Sequence, residues 1–96
     1  MELFIFARFH ARVGEEEAVA QALREVLGPT REEPGCLDIG HYRAVRDPRL
    51  FYVHSRWIDE TAFEEHPQLL HTVRFLEKVQ ALIDHPWDVT RTRPVG

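Results

Sequence analysis

Trp57, His66 and His71 follow one another within a short stretch, and they are the groups with which this chain could handle a planar ring and a proton. An imidazole titrates near neutral pH, so it can take a proton from a phenolic hydroxyl without prior activation. If the residues after Asp59 are helical, His66 shares a face with Ala62 and Phe63, and His71 shares one with Phe75. Both histidines then border apolar stripes, as a general base at the edge of a pocket would. The plainer alternative is a histidine that caps or packs between elements. Trp57 is either an aromatic wall for a planar substrate or a core residue. Phe63 and Phe75 would line the same substrate site, and Arg56 would hold a developing anion if it faces the pocket.

Other chemistries find little support. His66 and His71 are separated by Pro67 and are not at helical i, i+4 spacing, so no metal site is expected from them. His10, His41 and His54 lie on expected strands whose register is open. Cys36 directly follows Pro34-Gly35 with no histidine at an identifying spacing, and it reads as a small half-buried residue opening a strand. Arg8 and Arg43 suit either an anionic ligand or surface carboxylates. There is no Gly-rich phosphate loop, CxxC pair or Ser nucleophile elbow.

The elements that must position these groups follow from periodicity. Leu3 to Arg12 reads as a strand with apolar residues on both faces at its start. A helix opens at Gly14, with Glu15, Glu16 and Glu17 at its positive end. Val19, Ala22, Leu23, Val26 and Leu27 form its apolar stripe, and Gly28-Pro29 is expected to break or kink it. Cys36–Ala44 and Leu50–Trp57 form a hairpin around Asp47-Pro48. Leu37 and Ile39 share a face of the first strand; Phe51, Val53, Ser55 and Trp57 share a face of the second. Asp59 caps a short helix reaching about His66, and Pro67 starts a longer one with Thr72, Phe75, Leu76, Val79, Leu82 and Ile83 inward. Trp87 to Arg93 is a last strand. The order strand, helix, two strands, helix, strand predicts an α+β, ferredoxin-like βαββαβ subunit with a four-stranded antiparallel sheet, residues 1–96 forming one domain.

Composition bounds the partners. The chain of 96 residues is 44% hydrophobic and carries six Phe, two Tyr and two Trp, which is much apolar surface for one small core. With both faces of the first strand apolar, a homodimer is the economical way to cover the second face. A formal charge of −4 and scattered arginines argue against nucleic acid. No apolar run approaches the roughly 20 residues that span a bilayer. The N-terminus lacks a signal-peptide pattern. The lone cysteine fits a reducing compartment, so a cytoplasmic protein is expected.

Glu33-Pro-Gly-Cys-Leu37, Asp47-Pro48, Arg56-Trp57, Asp59, Ala62-Phe63 and His66 together resemble the antibiotic biosynthesis monooxygenase family. The resemblance covers nearly the whole chain. It implies a dimeric α+β barrel in which two sheets pack face to face, with a pocket in each subunit between sheet and helices. It implies oxygenation of anthrone-like polyketides or quinols without metal or flavin, the deprotonated substrate itself supplying electrons to O2. The chain departs from the polyketide oxygenases, which carry an Asn on the strand leading to the Trp and a Tyr on the next helix, where this chain has Val53, Ser55 and Phe63. It also lacks the first-strand Asn of haem-degrading relatives, near Ala7 and Arg8, while Trp57 matches both groups and His71 stands near the haem-ligating position. The resulting expectation is a cofactor-independent monooxygenase acting on a small phenolic, quinol or anthrone-like substrate with O2. His71 or His66 is its base, Trp57 positions the ring, and no cofactor or metal takes part. The alternatives are a non-catalytic small-molecule-binding dimer, a haem-binding or haem-degrading protein, and a purely structural dimer.

Overall fold

The computed structural model describes all residues from Met1 to Gly96. The strands are β1 (Leu3–His10), β2 (Cys36–Arg43), β3 (Leu50–Trp57) and β4 (Asp88–Thr92). The helices are α1 (Glu16–Arg31), α2 (Glu60–Glu65) and α3 (Leu70–Gln80), with a 3₁₀ turn (His66–Gln68) between the last two. The sheet runs in the order β2-β3-β1-β4, every neighbouring pair antiparallel. This is the ferredoxin-like plan expected from the sequence.

Register decides which side chains meet the helices. Leu3 pairs with Trp57, Ile5 with Ser55, Ala7 with Val53 and Phe9 with Phe51. Because side chains alternate along a strand, all of these face the helical layer. Leu3, Ile5 and Trp57 are buried at one end of that layer. Ala7, Phe9, Phe51, Val19, Leu23, Val79 and Ile83 form a larger core at the other. The opposite sheet face has no helix over it. Phe6 is 51% exposed there, and Tyr42 and Tyr52 are exposed beside it. Gly40 sits among them because a Cβ at that position would run into the Tyr42 ring.

Four local expectations need correction. α1 opens at Glu16 rather than Gly14, after Gly14 takes a left-handed φ of 84°. It also continues unbroken through Gly28-Pro29. Pro29 lies on the exposed side, where the carbonyl it leaves unbonded can meet water, and Thr30 Oγ1 donates to Val26 O at 2.8 Å to tie down the last turn. Leu37 does not share the inward face of Ile39, because a bulge between Cys36 and Asp38 turns Leu37 out while Ile39 stays buried. The first and last strands in sequence are shorter than expected: β1 ends at His10, with Ala11 making an isolated bridge to Ile83, and β4 begins at Asp88.

Candidate active site

Three segments converge at one end of the helical layer. Asp59 accepts a hydrogen bond from the Ala62 amide at 2.9 Å and so starts α2 directly after β3. Gly35 lies so close to Ala62 that a Cβ on it would overlap that of Ala62, and the Ile58 amide donates to Gly35 O at 3.0 Å. These contacts draw the end of α1 and the Pro34-Gly35 turn onto α2. They place Glu33 against His66, at the start of the 3₁₀ turn, and His71, in the first turn of α3.

The Glu33 carboxylate is the hub. His66 Nδ1 and His71 Nε2 each lie 2.7 Å from the same oxygen, Oε2, and the Glu33 side chain is only 7% exposed. Thr72 Oγ1 is 3.2 Å from His66 Nδ1. A neutral His66 that donates from Nδ1 keeps its lone pair on Nε2. Burial pushes the His66 pKa below the ordinary histidine value, opposed by the hydrogen bond that His66 donates to Glu33. The His66 ring packs on Trp57 with centroids 4.9 Å apart and on Phe63 at 6.0 Å.

Beside this hub, between sheet and helices, lies a cavity of about 260 Å³ with a mainly apolar wall. His66, Phe63, Phe75, Trp87 and Val53 contribute to it, and His41 and Ser55 supply polar atoms. Burial pushes the His41 pKa down to about 4, so this imidazole is neutral at pH 7. Its Nδ1 is buried without a hydrogen-bond partner. An apolar cavity of about 150 Å³ takes a benzene, so the space here suits one substituted aromatic ring.

The residues singled out from the sequence are placed differently from one another. His66, Phe63 and Phe75 line the cavity as expected. Trp57 lies behind the wall at 1% exposure, its Nε1 donating to Ser55 Oγ at 2.9 Å, so it supports His66 and Ser55 instead of offering a face to a ligand. His71 faces an outer groove with Arg74 and Lys78, reaching the cavity only through Glu33. Arg56 is on the other side of the sheet, paired with Phe4 in register and 3.5 Å from Glu2 Oε1, because even-numbered positions of β3 point away from the helices. It cannot hold an anion in this cavity. His10 and His54 share that outer face while His41 faces inward, so the strand histidines do not converge. Burial raises the pKa of the Cys36 thiol, which makes it a poor nucleophile. Glu33 and His41 were missed. Glu33 lay in the quoted Glu-Pro-Gly motif, and His41 alternates with the buried Ile39; these were the available signals.

The comparisons agree with this architecture. The sequence profile of the family described as antibiotic biosynthesis monooxygenase matches residues 3–78, and the chain belongs to that family. Among solved structures, Rv0793 from Mycobacterium tuberculosis superposes with a TM-score of 0.93 at 26% identity, over 100% of this chain and 97% of that one. PA3566 from Pseudomonas aeruginosa gives 0.91 at 29% identity, over 99% and 95%. A structure described as an antibiotic biosynthesis monooxygenase shares the fold at a TM-score of 0.93 and 24% identity, over 98% and 99%. No curated protein matches the sequence. No helix is long and apolar enough to cross a membrane.

Proposed function

We propose that the protein is a cofactor-independent monooxygenase for a small single-ring hydroquinone or related phenol, with His66 as the general base. The observation that carries this is the placement of His66 on the wall of an apolar cavity, with one nitrogen held by buried Glu33 and the other left free. A hydroxyl proton passes to His66 Nε2, and the imidazolium formed is stabilised by the Glu33 carboxylate. The electron-rich ring then reduces O2 against the mainly apolar wall of the cavity. A hydroquinone plus O2 gives a hydroxyquinone plus water: one oxygen atom enters the ring, the other leaves as water, and the substrate supplies the electrons. Neutral His41, with its unpartnered Nδ1, is suited to hydrogen-bond the second ring oxygen. The cavity volume favours a single ring over an anthrone.

The uncovered sheet face, with Phe6, Tyr42 and Tyr52 exposed, supports a second copy of the chain as its cover. Phe6→Glu should convert a dimer to a monomer in sedimentation experiments; a wild-type monomer would refute that part.

The function is tested by oxygen uptake of chelator-treated protein with single-ring hydroquinones and, for comparison, anthrones. Uptake should be one O2 per hydroquinone and fall by about 10²–10⁴ in His66→Ala. Uptake no faster than spontaneous oxidation, or unchanged in that variant, would sink the proposal. Saturable binding of a hydroquinone without uptake would make the protein a small-molecule-binding module instead.

A further inference from the structure

We propose that Glu33, His66 and His71 form a binding site for one divalent transition-metal ion of the zinc class. The three groups come from three separate segments, yet their ligand atoms lie within 4.8 Å of one another. Both imidazole nitrogens point at the same carboxylate oxygen from 2.7 Å, so two protons now occupy the space between three ligand atoms. Zinc takes His nitrogen at about 2.0–2.1 Å and carboxylate oxygen at about 2.0–2.2 Å. In a tetrahedral site such ligands stand about 3.3 Å apart, so each of the two histidine–Glu33 contacts must open by roughly 0.6 Å. All three side chains are carried by a turn or a first helical turn, where that adjustment is small. Two imidazoles and one carboxylate suit zinc, cobalt or nickel rather than the hard ions calcium and magnesium. His71 also lines an outer groove, so one of the three ligands faces a side of the cluster away from the cavity.

A second histidine–carboxylate cluster serves as the contrast. His10, Asp84 and His85 also lie close together, but both nitrogens of His10 are already engaged, by Asp84 at 2.9 Å and Asp47 at 3.1 Å. That cluster joins three chain segments as an ion-pair lock and is not proposed as a metal site.

An ion on His66 Nδ1 leaves the imidazole proton on Nε2, so the metal-bound form is a second state in which His66 is not the base. The test needs no organic substrate, so its outcome is separate from that of the oxygenase proposal. Metal-stripped Trp87→Phe protein, which retains Trp57 as its tryptophan, is titrated with Co²⁺ and followed by visible absorption and Trp57 fluorescence. The Trp57 ring lies 4.9 Å from that of His66, so a bound paramagnetic ion should quench it. The expected result is one ion per chain at about micromolar Kd, displaced by Zn²⁺. His71→Ala and Glu33→Gln should each weaken binding at least about tenfold, whereas His85→Ala and Cys36→Ser leave it unchanged. His71→Gln, at a half-exposed position, covers the case in which Glu33→Gln does not fold. No saturable quenching up to about 1 mM Co²⁺, binding undiminished by His71→Ala or His71→Gln, or binding lost in His85→Ala would each overturn the proposal.

Discussion

Replacing Glu33 by Gln removes a charge from the centre of the hub and changes almost no volume. In the native protein the carboxylate accepts two hydrogen bonds at 2.7 Å while 7% exposed. A hydrogen bond to a charged group contributes about 1.5–3 kcal/mol and a neutral one about 0.5–1.5, so each bond weakens by about 1–1.5 kcal/mol. Two bonds give about 2–3 kcal/mol. The imidazoles are 17% and 26% exposed and recover part of this from water, which brings the expected loss to about 2 kcal/mol. For a domain of this size each kcal/mol shifts the melting temperature by about 4–8 °C, so Tm should fall by about 8–16 °C. Calorimetry of Glu33→Gln beside Glu32→Gln, whose side chain is exposed, measures it. The Glu32 variant should melt like wild type. A Glu33→Gln protein melting within about 3 °C of wild type would show that Glu33 does not hold the two histidines together.

Three further outcomes follow from the packing. Trp57→Ala should cost about 3–5 kcal/mol of a total of about 5–15, seen as lost near-ultraviolet dichroism and early melting. Trp57→Phe should keep the fold and lose about 1–2 kcal/mol with the Ser55 hydrogen bond, so wild-type stability in Trp57→Ala would contradict the burial. Gly35→Ala should destabilise by about 1–3 kcal/mol in urea titrations, because the new methyl meets the Ala62 Cβ; an unchanged midpoint would refute that contact. The third concerns pH. The Asp84 hydrogen bond, and then that of Asp47, raises the His10 pKa above 6.5 against an opposing effect of burial, with Arg49 and His85 the other charged or titratable neighbours. The stability His10 contributes is fully present below 6.5 and is lost as pH rises through the raised value. Asp84 and Asp47 have pKa values lowered below 3.8, the first mainly by His10 and the second mainly by the Arg49 amide, so their contribution is present above 3.8 and lost on further acidification. Tm should therefore decline on the alkaline side of about pH 6.5, and Asp84→Asn should flatten that decline; an equal slope in both proteins would refute the lock.

Much of the architecture was legible because it rests on local pattern. Alternation along Phe51, Val53, Ser55 and Trp57 named the inward face of β3, and Asp59 named the start of α2, since period and capping need only a few neighbouring residues. Pro29 misled because a proline breaks a helix only where the lost hydrogen bond cannot be replaced, and exposure is not written in the local sequence. Leu37 misled because a bulge resets alternation by one residue.

The sequence by itself determined the element order, the family and the apolar stripes, and it pointed to His66 and His71 together among six histidines. Only the tertiary structure decided which carboxylate joins His66 to His71. Glu33 is one of sixteen acidic residues and stands 33 positions before His66, so no spacing rule links them. The close approach of Gly35 to Ala62 links them in space, and burial of the carboxylate then makes both imidazoles its partners. The structure likewise moved Arg56 away from the cavity and put His41 into it. The choice between the two faces of a strand rests on register with neighbouring strands, a long-range property.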